Sequence, residues 1–212
     1  MIKVEKFVVG PLGENSYILS DESGECIFID PGFYYKEEYE EIIDYISENK
    51  LKPINISNTH CHFDHIMGVE FIREKYNIPF QAHKADEFLI DRSVNQAKAF
   101  GFEMKQVTSL NNFIDEDDTI KLGDTELKIY HVPGHSPGHV VFYHEESKIL
   151  VAGDVLFYGS IGRTDLPGGN YQTLISGIKE KLFILPDDTK VYSGHGPETT
   201  IGFEKENNPF LM

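Results

Sequence analysis

Thr59-His60-Cys61-His62-Phe63-Asp64-His65 packs four metal-capable side chains, His60, His62, Asp64 and His65, into six residues. Imidazole nitrogens beside a carboxylate suit Zn²⁺ or a non-heme iron rather than a hard, all-oxygen ion such as Ca²⁺ or Mg²⁺. On an extended segment, residues two apart project to the same side, so His60 and His62 can grip one ion. The chain must then turn, which aims Asp64 and His65 at a neighbouring position, and one short segment can serve two adjacent metals. Structural zinc is normally cysteine-rich and staples small domains that would not otherwise fold. A chain of 212 residues can build its core without that help. The cluster therefore reads as a catalyst. Cys61 alternates with its histidine neighbours, so it points away from the metal and reads as a small buried hydrophobe.

Composition narrows the partners. Hydrophobic residues make up 40% and aromatics 12%, enough for a core, and the expectation is one domain spanning 1–212. Asp and Glu number 35 against 19 Lys and Arg, a net charge of −16 that repels a polyphosphate, and no basic run offsets it. Met1 to Gly10 alternates apolar and charged residues without the apolar core of a signal peptide. No stretch approaches the ~18–20 apolar residues of a membrane span. Two cysteines, Cys26 and Cys61, suggest no disulfide framework. A cytoplasmic protein with neither nucleic-acid nor membrane partners is expected.

Outward from the cluster, turn residues and periodicity give the elements. Ile2 to Val9, Asn15 to Ser20 and Glu25 to Asp30 read as a three-strand meander broken at Pro11-Leu12-Gly13 and Asp21-Glu22-Ser23-Gly24. Tyr39, Ile42, Ile43 and Ile46 fall at helical spacing within 36–49, with a charged opposite face. Ile54 to Asn58 is a short strand delivering His60 to its end. A helix over Ile66 to Tyr76 and a strand near Pro79 to Ala82 follow. Within 84–118, Ala85 to Asp91 is helical, and Asn95 to Met104 mixes helix formers with Gly101. Strands resume at Thr119 to Leu122, Glu126 to Val132, His139 to His144 and Ile149 to Ala152, with a hairpin at Glu145 to Lys148. A helix over Tyr171 to Phe183 and a strand at Lys190 to Ser193 close the pattern. Two successive strand groups, each with helices, imply two packed sheets with helices outside.

Further strands end in His-, Gly- or Asp-rich loops: His135 in His131-Val132-Pro133-Gly134-His135-Ser136-Pro137-Gly138-His139, Asp154 in Ala152-Gly153-Asp154, and His195 in Ser193-Gly194-His195-Gly196. Asp30-Pro31-Gly32 brings no obvious ligand. Each alone is first a turn signal. Together with residues 59–65, in this order, they make the chain resemble the metallo-β-lactamase superfamily across nearly its whole length. That resemblance implies an α/β (α+β) fold, a four-layer αββα sandwich with the metals at one edge. It also implies ligand roles: His60, His62 and His135 for a first metal, Asp64, His65 and His195 for a second, and Asp154 bridging both. His139 reads as a loop-fixing residue beside the ligands, and His83, His131 and His144 as structural or surface residues.

Two metals ~3.5–4 Å apart can supply hydroxide at neutral pH and polarise a scissile carbonyl. Asp64 and Asp154 would orient that hydroxide as the catalytic carboxylates. No Gly-x-Ser-x-Gly elbow is present, and neither cysteine has an activating context beyond the cluster. Within the superfamily the chain most resembles the glyoxalase II-like hydroxyacylglutathione hydrolases, through His65 and the segment Gly159 to Gly169. The resemblance implies two divalent ions, zinc first and iron second, and a small-molecule thioester substrate linked to glutathione. Arg163 would be the substrate-binding cation, its planar fork suited to a carboxylate; an internal salt bridge to Asp165 is the other reading. The chain ends soon after His195, where long glyoxalase II proteins continue into a helical region, so it is more similar to short single-domain forms. The alternative is a persulfide dioxygenase of the same superfamily, holding one iron on His60, His135 and Asp154.

Overall fold

The computed structural model describes residues 1–212. Strands β1 (Lys3–Val9), β2 (Glu14–Ser20) and β3 (Glu25–Ile29) form an antiparallel meander. Helix α1 (Lys36–Glu48) crosses back to β4 (Lys52–Ser57), which pairs parallel with β3. After α2 (Phe63–Ile66) and α3 (Val69–Tyr76) come β5 (Phe80–Ala82), α4 (Glu87–Ala99) and β6 (Asn112–Phe113), completing a sheet of order β1-β2-β3-β4-β5-β6. The second half supplies β7 (Thr119–Leu122), β8 (Thr125–His131), β9 (Val140–His144) and β10 (Ile149–Gly153). A small hairpin, β11 (Leu156–Phe157) with β12 (Ser160–Ile161), precedes α5 (Tyr171–Gly177), β13 (Lys190–Ser193), β14 (Thr199–Thr200) and α6 (Ile201–Asn207). The second sheet runs β14-β13-β10-β9-β8-β7.

Side-chain alternation along the strands decides the layers. Tyr17, Leu19, Ile27 and Ile29 of the first sheet meet Leu127, Ile129, Phe142 and Val151 of the second in one buried cluster. The intervening Ile18 and Phe28 face the other way, onto Ile42 and Ile46 of α1, Ile72 of α3 and Leu89 of α4. Val141, Leu150 and Val191 do the same for the second sheet, against Leu174 of α5 and Ile201 of α6. The result is the expected αββα sandwich, and β2 is buried at every position because both its faces are covered. Cys61 is fully buried in the first outer cluster, as its alternation requires.

The elements differ from the sequence reading in four respects. The helix expected over 66–76 is two: α2 already contains Asp64 and His65, and the break falls at Gly68, whose N–H leaves the helical pattern to donate to the Pro31 carbonyl at 2.8 Å. The ambiguous stretch after residue 84 is one helix, α4, held by the buried face of Leu89, Ile90, Ser93 and Ala97 and ended before Gly101 at φ +86°. The helix from Tyr171 turns π-helical at Ile178–Leu182, which keeps Ile178 and Leu182 buried against the second sheet. The two-residue strands β6, β11, β12 and β14 and helix α6 carry too few residues for a period to be visible.

The shared inter-sheet cluster makes a direct prediction. Phe142→Ala, at a fully buried position between the sheets, should destabilise the protein by ~3–5 kcal/mol. Lys128→Ala, on an exposed neighbouring position, should change stability by ~0.5 kcal/mol or less. Urea titration of the two variants checks the contrast.

Candidate metal centre

β8, β10 and β13 run in one direction, since β9 is antiparallel to both β8 and β10 while β13 is parallel to β10. Their C-terminal ends therefore open onto one edge, where β4 also stops. His60, His62, Asp64 and His65 follow β4; His135 follows β8; Asp154 follows β10; His195 follows β13. All seven residues named from the sequence meet there. The Nδ1 of His62 and the Nε2 of His60 lie 2.9 Å and 3.2 Å from the Nε2 of His135. Beside this trio, His65 Nε2 is 3.5 Å from one Asp154 oxygen and 4.0 Å from Asp64, and His195 Nε2 is 3.5 Å from Asp64. Asp154 faces both groups, its other oxygen 3.5 Å from His135 and 3.8 Å from His195.

Ring orientation follows from partners on the far side of each imidazole. His135 Nδ1 donates to the Arg163 carbonyl at 2.8 Å, His65 Nδ1 to Asp30 at 3.1 Å and His195 Nδ1 to the Gly13 carbonyl at 3.3 Å. Each ring thereby turns its Nε2 to the centre, the nitrogen a metal would take up. Tetrahedral zinc at ~2.0–2.1 Å from nitrogen sets its ligand nitrogens ~3.3 Å apart, close to the spacing of the His60, His62 and His135 trio. Buried His65 Nε2 and Asp154 Oδ1 have no hydrogen-bond partner within the chain. A buried polar atom without a partner carries a desolvation penalty of ~1–3 kcal/mol, which a cation between the carboxylates and imidazoles would relieve. The donor set fits two such ions.

Electrostatics points the same way. Burial holds His60 well below the usual histidine range and His62 down at about 3, so both are neutral. Burial opposes ionisation of Asp154 and Asp64, yet both lie below the usual carboxylate range, with His65 the leading cause in each. Burial opposes protonation of His65 and His195, yet Asp154 and Asp64 raise both above the usual histidine range, so a metal there would displace protons, while His60 and His62 are already neutral.

The supporting residues were largely invisible in the sequence. Asp30, read as bringing no obvious ligand, lies beside His60 and His65; its carboxylate accepts from the Thr59 N–H at 2.7 Å and from His65 Nδ1 at 3.1 Å. Asp86, in the 3₁₀ turn before α4, accepts from Cys61 N–H at 3.1 Å, Ser136 Oγ at 2.7 Å and Gly138 N–H at 2.6 Å, clamping two ligand loops together. Asn58 ties the backbone of His60 to that of His65. His139 accepts the Asp154 N–H at 3.0 Å, matching its expected loop-fixing role. Gly194 has a steric reason: a Cβ there would lie 2.2 Å from Asp154 Oδ1. His83 and His131 stack near Asp115, but His83 Nδ1 accepts from the Ala85 N–H. Its proton therefore sits on Nε2, facing Asp115 at 3.2 Å in a hydrogen bond. His131 supports the Pro137 carbonyl and His144 the hairpin at Ser147.

Above the centre lies a recess of about 400 Å³, walled by Leu12, Phe63, Phe100, Phe157, Ile161 and Leu166. Arg163 lines it too, with Nε and Nη2 each 2.7 Å from an Asp165 oxygen.

The profile of the Metallo-beta-lactamase superfamily matches residues 9–195, from the end of β1 through the last of the gathered histidines. The chain belongs to this superfamily. Hydroxyacylglutathione hydrolase GloC of Haemophilus influenzae is 37% identical over 99% of this chain and 98% of its own length. Among solved structures, the BLEG-1 B3 metallo-beta-lactamase superposes with a TM-score of 0.90 at 36% identity, covering all of both chains. TTHA1623 in a di-iron-bound form gives 0.88 at 36% identity over 98% of this chain and all of that one. The chain is thus a metallo-hydrolase-type fold whose His and Asp clusters can hold two ions. No helix is long and apolar enough to cross a membrane.

Two outcomes are expected. Asp86→Ala strands three donors and should cost ~2–4 kcal/mol of stability, with metal content per chain falling below wild type by elemental analysis. Chelation of the purified protein should lower Tm by on the order of 5–10 °C for each ion present at ~100 times its Kd. A Tm unmoved by chelation would contradict the ligand assignment.

Proposed function

We propose that the chain is a metal-dependent thioester hydrolase, carried by one domain over 1–212. The observation that carries this reading is two donor groups sharing Asp154 beneath an open, largely apolar recess. On this reading His60, His62 and His135 hold one divalent ion and Asp64, His65 and His195 the other, with Asp154 between them. Zinc is the first candidate. Iron is the second, supported by the di-iron form of the 36%-identical structure. Such ions supply Lewis acidity for a carbonyl and a nucleophile from water at neutral pH.

The chain's own residues set the remaining terms. Asp64 and Asp154, kept ionised by His65 and its neighbours, accept hydrogen bonds from the attacking water and fix its direction. The Arg163 carbonyl and Asp30 hold His135 and His65 in register. The walls of the recess exclude bulk water from the acyl group, which strengthens every charge interaction inside. The name of the GloC relative, a hydroxyacylglutathione hydrolase, supports an acyl-thioester substrate. Its partner is accordingly a small molecule, and a cytoplasmic setting accords with the composition.

The dioxygenase alternative needs one iron on His60, His135 and Asp154. It would leave fully buried His65 with an unpartnered Nε2, which favours the two-ion reading. Metal analysis with paired assays on S-lactoylglutathione and glutathione persulfide tests the choice. Two ions per chain and thioester cleavage are expected; oxygen uptake with one iron and no cleavage would overturn the proposal. Asp154→Ala should reduce kcat/KM by more than the ~10–100-fold that follows loss of an outer-shell partner.

A further inference from the structure

Resting on the hydrolase reading, we infer that the substrate presents an uncharged, apolar group to the recess, and that Asp165 enforces this by occupying Arg163. Six of the lining side chains are apolar: Leu12, Phe63, Phe100, Phe157, Ile161 and Leu166. Arg163 is the only lysine or arginine among the lining residues. One edge of its guanidinium is already taken, with Nε and Nη2 each 2.7 Å from an Asp165 oxygen. A substrate carboxylate would either displace Asp165 or join it at the Nη1 end of a guanidinium whose charge is already matched, and either way gains less than from an unpaired arginine. Asp165 is itself ionised at any working pH, since its hydrogen bond from Arg163 brings its carboxyl down to about 2.

The backbone keeps this arrangement beside the chemistry. The Arg163 carbonyl accepts from His135 Nδ1 at 2.8 Å, so the segment bearing both partners is anchored to a residue of the centre. The other polar lining groups away from the centre, Gln96 and Ser160, are neutral. Glutathione, with two carboxylates, finds no unpaired lysine or arginine in the recess, and the −16 net charge of the chain adds long-range repulsion. The class of substrate is therefore a thioester with an apolar acyl group and an uncharged thiol arm. Asp165 acts through Arg163 and is a specificity-determining positioning residue.

Two esters with the same acyl group test this: S-hexanoyl-N-acetylcysteamine, which is neutral, and S-hexanoylglutathione. The metal-loaded wild type should show kcat/KM at least tenfold higher for the neutral ester, the difference lying in KM. Asp165→Asn should narrow the ratio at least threefold by lowering KM for the glutathione ester. Adding Arg163→Met should reverse that gain. Equal rates, a preference for the glutathione ester, or an unchanged ratio in Asp165→Asn would overturn the inference while leaving the hydrolase reading intact. Cleavage of neither ester would overturn the hydrolase reading. Calorimetric binding of the uncleavable S-hexyl-N-acetylcysteamine and S-hexylglutathione then still reads the recess: tenfold tighter binding of the neutral thioether supports the inference, and equal binding overturns it.

Discussion

Three imidazole nitrogens face one another within about hydrogen-bonding distance, and the middle one has no proton to offer. His135 Nε2 sits 2.9 Å and 3.2 Å from its neighbours while its other nitrogen is committed to the Arg163 carbonyl. A neutral His62 can donate Nδ1–H to His135 Nε2, so a hydrogen bond helps to hold the cluster. The backbone around it is over-determined. Asp30, Asn58, Asp86 and His139 supply that constraint through hydrogen bonds to the ligand loops, and Asp30 also bonds the His65 ring. The converging nitrogens suit a cation, which would exchange that hydrogen bond for coordination.

The sandwich explains why the loops can be held so tightly. Each ligand loop begins where a strand of the sandwich stops, and the strands are fixed by packing between the sheets and under the helices. Ile56 of β4 and Val151 of β10 belong to different clusters, one under the helices and one between the sheets, so the two halves brace the site from separate cores. Gly194 lets the β13 end pass against Asp154 where a side chain would collide. A rigid scaffold with mobile-looking, glycine-rich loops is thus stiff where the ligands sit.

Much of this was legible in the sequence, for identifiable reasons. His60 and His62 share a side of an extended segment by period alone, and Cys61 is buried on the other. The sheet strands carry two-residue alternation long enough to read, and α1 shows its apolar stripe at Tyr39, Ile42, Ile43 and Ile46. Short elements escaped: α2 and the two-residue strands hold less than one period. Asp30 and Asp86 escaped for a different reason. A carboxylate in a loop looks the same whether it faces water or clamps two distant backbones, and only the partners at Thr59, Ser136 and Gly138 distinguish the cases.

Arg163 marks the boundary most clearly. Its residue type and its place after Asp154 made it a candidate for a substrate carboxylate, and its neighbour made it a candidate for an internal pair. Spacing cannot choose between these, because Asp165 two positions on can turn either way. The sequence by itself determined the chemistry available, imidazoles and carboxylates in a fixed order with the strand pattern of a layered fold, since those follow from residue type and local period. Only the tertiary structure decided which atoms converge, which backbones the buried carboxylates hold, and that the one arginine of the recess is already paired. Convergence depends on contacts between residues far apart in the chain, and no local rule encodes those.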